Sequence, residues 1–458
     1  MAERVFMERN IEADLLQWKQ SPFRKPLILK GARQVGKTQA LKEFGARHYR
    51  NVAYVSLEKV NATIPSEYAQ FFEQTLDPFR IIANLSLALG VPIDPDETLL
   101  ILDEIQDCPA AINSLKYFCE EAPQMHVVCA GSLLGVALAS EDSFPVGKVD
   151  FLTLYPMSFY EFLNAIGQEG LADYAESLEG TSPIPDIFAN RLTDHLKAYF
   201  AVGGMPEAVL RWKLTGDISQ VDEVLANLVS SYERDFAKHG GARLYPKLVQ
   251  VWDSLPAQLA RENKKFTYGL VREGARAREY EDAITWLEGA GLVYRVKRSS
   301  RPGIPVSAYD ENAFKLYLLD VGLLRRLARL DATAFAQPDG LFAEFKGAFA
   351  ENYALQSLVP QLDAMPRYWA VDNPRYEVDF LLQIGNHVLP CEVKAGTSVG
   401  GTSLKNYIKR YADATPLELR LSLRNLKLDE HLLNIPLYLG GQAVRLAREA
   451  LGKAHPVV

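Results

Sequence analysis

Cysteine is scarce in this 458-residue chain. The four present, Cys108, Cys119, Cys129 and Cys391, have neither metal-type spacing nor a paired disulfide pattern. They read as buried thiols. Long apolar runs are missing as well: nothing approaches the roughly 18 residues that a membrane-spanning helix requires. Met1-Ala2-Glu3-Arg4 is not followed by the apolar core of a secretory leader, so a cytoplasmic protein is expected. Neither sign of charge is in large excess. The 50 Lys and Arg against 57 Asp and Glu leave a formal −7, which argues against a uniformly basic nucleic-acid coat and still allows a local basic face. What is present is ordinary for a globular protein, 48% hydrophobic and 23% charged residues. The length suits roughly three domains at about 150 residues each.

The most informative segment is Gly31-Ala32-Arg33-Gln34-Val35-Gly36-Lys37-Thr38. It matches Gly-x-x-x-x-Gly-Lys-[Ser/Thr] at every fixed position. An apolar strand, Pro26-Leu27-Ile28-Leu29, precedes it, and a helical pattern begins at Gln39. Strand, glycine loop and helix are the context this motif requires. Backbone N–H groups of such a loop form an anion nest, and the helix N-terminus adds its positive end. Lys37 can then reach the β and γ phosphates, while the Thr38 hydroxyl can ligate Mg²⁺. A second apolar strand, Leu99-Leu100-Ile101-Leu102, ends in Asp103-Glu104. Asp103 is expected to hold Mg²⁺ and Glu104 to polarise the attacking water. No guanine-reading Asn-Lys-x-Asp follows the third strand, so ATP is the expected nucleotide.

That third strand, His126-Val127-Val128-Cys129-Ala130, ends in Gly131-Ser132. Ser132 either senses the γ-phosphate or caps a following helix over 133–139. Apolar strands alternating with helices predict a parallel sheet covered on both faces. Its nucleotide would lie beyond the carboxyl ends of the strands.

The G-A-R-Q-V-G-K-T loop, the D-E-I-Q from Asp103, the Ala130-Gly131-Ser132 strand end and the run Leu154-Tyr155-Pro156-Met157-Ser158-Phe159-Tyr160-Glu161-Phe162-Leu163 carry a family likeness. Tyr199-Phe200-Ala201-Val202-Gly203-Gly204-Met205-Pro206-Glu207 and Lys315-Leu316-Tyr317-Leu318-Leu319-Asp320-Val321-Gly322 extend it. Together they resemble the AAA-type ATPases of a large prokaryotic family that carries a distinct C-terminal region of poorly known function. The resemblance implies ATP and Mg²⁺ as cofactors. It also makes a homo-oligomer, in which a neighbour's arginine completes the site, an open expectation. Where the family often shows Gly-Arg, this chain has Gly147-Lys148, and a lysine lacks the forked contact of an arginine finger.

Residues 160–235 have helical patterning interrupted by a Gly/Ser/Pro loop at 180–185. Gly203-Gly204-Met205-Pro206 is either a coupling hinge or a tight helix–helix turn. Helices are then predicted over 248–259, 268–275 and 279–290, followed by strands at 292–296 and 306–309. Three helices and a hairpin describe a winged helix. Residues 231–310 hold 14 basic and 10 acidic residues, a surplus of four on an acidic protein. Arg272, Arg276 and Arg278 near the third helix, with Lys297, Arg298 and Arg301 on the wing, could meet DNA. Such modules also serve in protein packing.

The last third carries a second chemical pattern. A helix over 345–358 contains Glu351; strands follow at 367–371, 376–382 and 388–394. Glu392 and Lys394 are two apart on a strand and face one side, and a neighbouring hairpin strand can bring Asp379 beside them. Pro390 within that strand suggests an edge or bulge. The D-x(12)-E-x-K pattern resembles the PD-(D/E)-x-K nuclease core. That resemblance would make Asp379 and Glu392 Mg²⁺ ligands, Lys394 the group that orients water or stabilises charge, and Glu351 the helix-borne acid.

The expected architecture is thus α/β multidomain. A P-loop NTPase parallel sheet (1–165) is followed by a helical connector (166–238), a winged-helix module (239–325) and a restriction-endonuclease-like α/β domain (335–458). The expected function is an ATPase acting as a switch or motor on DNA. The alternative is a nucleotide-dependent signalling or scaffold protein whose nuclease-like domain binds without cutting.

Overall fold

A computed structural model describes residues 7–60, 64–132, 144–261, 264–331, 343–371, 376–396 and 402–454. The chain forms two compact units. One comprises Glu8–Tyr155 with Trp286–Leu292; the other is built mainly from Pro156–Thr285 and Val293–Val458. No helix among the described residues is long and apolar enough to cross a membrane.

The first unit contains α1 (Ile11–Gln20), β1 (Leu27–Lys30), α2 (Lys37–His48), β2 (Asn51–Ser56), α3 (Ala69–Glu73), α4 (Pro78–Leu89), β3 (Thr98–Asp103), α5 (Pro109–Glu121), β4 (His126–Ala130) and β5 (Asp150–Thr153). The strands form one sheet in the order β2-β3-β4-β1-β5, with every neighbouring pair parallel. All residues of β3 and β4 are buried. This is why they read as unbroken apolar runs: a parallel strand covered on both faces has no side to give to water. Ile28, Val55, Leu100, Leu102 and Val127 share a core with Ile112, Leu115 and Phe118 of α5.

The second unit opens with α6 (Phe159–Ala165), α7 (Glu169–Glu176), α8 (Asp186–Val202), α9 (Pro206–Thr215) and α10 (Ile218–Leu259). Local chemistry starts α6. The Ser158 hydroxyl accepts the Glu161 N–H at 3.2 Å, and the Glu161 carboxylate accepts the Ser158 N–H at 2.7 Å, a reciprocal cap that satisfies two otherwise orphaned donors. α10 is kinked where Gly241 takes φ 56° and ψ −178°, so the helix expected over 248–259 is its second arm.

Beyond it lie α11 (Tyr268–Val271), α12 (Ala277–Gly289), β6 (Val293–Ser299), β7 (Asp310–Leu318) and α13 (Val321–Leu327). The helix expected over 268–275 is a single turn. Residues 306–309 form a 3₁₀ turn, and the returning strand starts only at Asp310.

The remaining elements are α14 (Ala343–Leu358), β8 (Arg367–Ala370), β9 (Glu377–Ile384), β10 (His387–Val393), α15 (Thr402–Tyr411), β11 (Glu418–Ser422), β12 (Lys427–Asp429), β13 (Leu432–Pro436) and α16 (Ala443–Ala454). One eight-stranded sheet, β12-β13-β11-β10-β9-β8-β6-β7, takes in both this region and the β6–β7 hairpin. The hairpin is thus continuous with the strands of the last third. An exposed strand edge seeks hydrogen-bond partners; β6 finds one in β8, with Arg298 opposite Tyr368.

Pro390 lies in an inner strand, between β9 and β11, rather than at the sheet edge. Pairing with β11 begins only at Cys391, so no β11 residue pairs with Pro390 and its missing N–H is tolerated there.

Candidate functional site

The loop after β1 turns through left-handed backbone at Gln34 (φ 64°) and Gly36 (φ 94°), the residue that caps α2. Gly36 adopts this conformation without Cβ strain. Non-glycine residues seldom do, and they cluster at functional sites; Gln34 and Glu104 (φ 50°) are two of the five among the described residues. Lys37 is 7% exposed. Its ammonium donates to the Gly31 and Ala32 carbonyls, each at 2.8 Å. Burial pulls its pKa down to about 8, with Glu104 and Asp103 acting in the opposite direction.

Across the sheet, Asp103 Oδ2 accepts the Thr38 hydroxyl at 2.8 Å and the Tyr54 hydroxyl at 2.9 Å. Burial and then the Asp103 charge push the Tyr54 phenol upward, keeping it a donor. A hydroxyl and a carboxylate oxygen in contact suit Mg²⁺, which takes hard oxygen ligands, few of them from protein. Bound Mg²⁺ would neutralise charge on the transferring phosphoryl group. Glu104 Oε2 accepts the Ser132 N–H at 3.4 Å, the Ser132 hydroxyl at 3.2 Å and the Gln106 amide at 2.5 Å. Ser132 thus meets Glu104; the helix it was alternatively expected to cap, 133–139, lies outside the described residues.

Tyr54, Gln106 and Arg9 were not anticipated. Arg9 donates to the Val35 and Tyr155 carbonyls at 2.9 and 2.7 Å, holding the loop from behind. No motif spacing announces it. Lys148, at the position where the family resemblance puts an arginine, pairs with Glu120 at 2.8 Å.

The two C-terminal signature motifs meet in one buried network. The Asp320 carboxylate accepts the Gly204 N–H at 2.6 Å and the Leu323 N–H at 3.1 Å. Gln356 donates to Asp320 at 3.2 Å and to the Tyr199 hydroxyl at 2.9 Å. Tyr199 in turn donates to the Met157 carbonyl at 2.5 Å. A Cβ on Gly203 would fall 2.3 Å from Asp320 Oδ1, and one on Gly322 would fall 2.4 Å from the Val202 carbonyl oxygen. The Gly-Gly-Met-Pro segment is therefore a tight, buried crossing, which favours the turn over the hinge.

The acids of the last third are met by lysines. Glu351 Oε1 pairs with Lys264 at 2.7 Å and Oε2 accepts the Tyr317 hydroxyl at 3.0 Å. Lys315, fully buried, pairs with Glu377. Lys394 pairs with Glu392 at 2.5 Å. Asp379 Oδ2 accepts the Val393 N–H at 2.8 Å. Burial, then the Glu351 charge, holds the Asp379 carboxyl well above the usual carboxylate range, which favours its protonated form.

One oxygen, Glu392 Oε2, is buried without a hydrogen-bond partner. Among the described residues no three His, Cys, Asp or Glu side chains are placed to share a metal ion. Adjoining strands bring Asp379 and Glu392 close, the Val393 N–H meeting Asp379 and the Lys394 ammonium meeting Glu392. Lys264 and Lys315 lie outside the D…E-x-K pattern. Lys315 falls within a quoted family signature; nothing in the sequence marks Lys264.

A phosphate loop on β1, an acidic pair ending β3 and a polar residue after β4, on a five-stranded parallel sheet, have the arrangement of a P-loop nucleotide-binding domain. Residues 23–163 match the family described as AAA domain. Residues 193–334 and 346–439 match two families described as domains of unknown function, DUF8612 and DUF4143. No curated protein matches the chain.

Among solved structures, the chain is similar to the Walker-type ATPase of Pyrococcus abyssi, at 15% identity and a TM-score of 0.45, over 70% of this chain and 96% of that one. It is similar to the Thermotoga maritima RuvB Holliday junction branch migration motor, at 14% identity and 0.31, over 64% and 90%. It is also similar to the Aeropyrum pernix Orc1 protein in complex with DNA, at 16% identity and 0.28, over 71% and 93%.

Proposed function

We propose that the protein binds and hydrolyses ATP, and that this drives a switch or motor in which the second unit acts on DNA. The convergence of Lys37, Thr38, Asp103, Glu104 and Ser132 beyond the carboxyl ends of β1, β3 and β4 carries this reading. Lys37 would hold the β and γ phosphates and Thr38 with Asp103 would hold Mg²⁺. Glu104, steadied by Ser132 and Gln106, would take the proton from the attacking water. Steady-state hydrolysis tests it. Lys37→Ala should abolish turnover. Glu104→Gln should retain ATP binding and lose turnover by roughly 10²–10⁴-fold, the usual worth of a general base. Unchanged turnover in both variants would refute the assignment.

For the last third, the lysine-paired acids favour the second reading, a nuclease-like domain that binds without cutting. Incubating plasmid and single-stranded DNA with Mg²⁺ or Mn²⁺, with and without ATP, separates the two. Cleavage that vanishes in Asp379→Ala would restore the nuclease.

A further inference from the structure

Three of the six cations expected to touch DNA are paired with neighbouring acids. Arg272 pairs with Glu279 at 2.8 Å, Lys297 with Asp310 at 3.4 Å, and Arg298 with Glu311. The exposed face of α12 carries Arg278 but also Glu281, Asp282 and Glu288, a poor surface to bring to a phosphate backbone.

Elsewhere the charge is distributed differently. From Val393 to Ala412 the chain holds Lys394, Lys405, Lys409 and Arg410 and no acid, on a protein of net charge −7. Lys394 is held by Glu392. The other three lie on α15, all exposed, and no ion pair engages them among the described residues. Their direction is fixed by what the helix buries. Leu404 and Tyr407 enter a core with Trp369, Val378 and Leu381, the Tyr407 and Trp369 rings meeting edge to face at 5.2 Å. The Arg410 guanidinium lies 5.7 Å from the Trp369 ring centre. Lys405 and Lys409, four apart, share one helix face about 6 Å from each other along the axis. The result is a cationic cluster carried on a packed helix, with Asp413 the nearest acid in the chain.

We infer that Lys405, Lys409 and Arg410 of α15 form the nucleic-acid contact of this protein, gripping the phosphodiester backbone without reading sequence. The inference rests on the reading of DNA as the ligand of the second unit and relocates the contact away from the hairpin. Charge complementarity supplies the attraction, and each phosphate engaged releases counterions. Three contacts give modest, strongly salt-dependent binding.

The test uses the full chain, a fluorescent duplex of about 20 base pairs and its single strand, with anisotropy read across about 50–200 mM salt. Lys405→Gln/Lys409→Gln/Arg410→Gln should weaken binding more than tenfold and flatten the log–log salt slope by about 2.7, at about 0.9 per lost contact. Its thermal melt and ATP hydrolysis should stay unchanged. Arg272→Gln/Lys297→Gln/Arg298→Gln should bind within about twofold of wild type, by the pairing argument above. Wild-type binding that survives the α15 changes, or falls only in the second variant, overturns the inference and leaves the DNA reading intact. Wild-type protein that ignores both nucleic acids, or prefers phosphatidylserine vesicles to them, overturns both.

Discussion

Nucleotide affinity should fall as pH rises through 8, and Lys37 sets where. In the free protein its burial brings the pKa from the ordinary 10.5 to about 8. A bound triphosphate places negative charge at the ammonium, which raises that pKa again. The nucleotide therefore binds the protonated lysine, and the free protein must take up a proton whenever it has lost one. At pH 7 about nine-tenths of the free lysine is charged; at pH 9 about one-tenth is. The Kd for ATP should thus weaken about tenfold between these values, or about 1.4 kcal/mol.

The sign for folding is opposite. The unfolded chain binds this proton more tightly than the native one, so Lys37 costs stability below pH 8, and that cost fades as pH rises from about 8 towards 10.5. Calorimetry with a non-hydrolysable ATP analogue in two buffers of different ionisation enthalpy reads both affinity and protons. Uptake should approach one proton per site at pH 9 and be near about 0.1 at pH 7. Lys37→Met should flatten the profile at uniformly weak binding. A Kd that holds constant from pH 7 to 9 in wild type, or an equal slope in Lys37→Met, would show that this lysine is not the titrating group.

Two further outcomes follow from packing. Gly322→Ala places a methyl 2.4 Å from the Val202 carbonyl oxygen, and should cost about 1–3 kcal/mol of stability as overpacking; an unshifted urea midpoint would show that the crossing can open. Lys315→Met strands Glu377 beside a buried apolar group. It should destabilise by about 3–5 kcal/mol, with recovery in Lys315→Met/Glu377→Gln; equal melting of the two variants would count against a paired core.

The nucleotide site was legible because its chemistry is local. Gly36 must turn left, Lys37 must follow it, and apolar β3 must end in acids; each demand falls on adjacent residues. The likeness across the chain also singled out Gly203, Gly204, Asp320 and Gly322, but only folding shows that these segments cross at van der Waals limits. The setting of the β6–β7 hairpin was not legible for a related reason. Helix and hairpin periodicity are properties of a segment, while the partner of the hairpin's outer edge is not. Pairing with β8, more than 60 residues downstream, decides that the hairpin belongs to the larger sheet.

The amino-acid sequence by itself determined the phosphate loop, the acidic strand end, the helix–strand–hairpin order of the last third and the cationic composition of α15. Tertiary structure alone decided which charges meet. Lys264 and Lys315 reach Glu351 and Glu377 across 87 and 62 residues of chain, and Glu279, Asp310 and Glu311 pair with Arg272, Lys297 and Arg298, three of the cations expected to bind DNA. Coulomb energy depends on separation in space and on burial, and neither is encoded at fixed sequence distance.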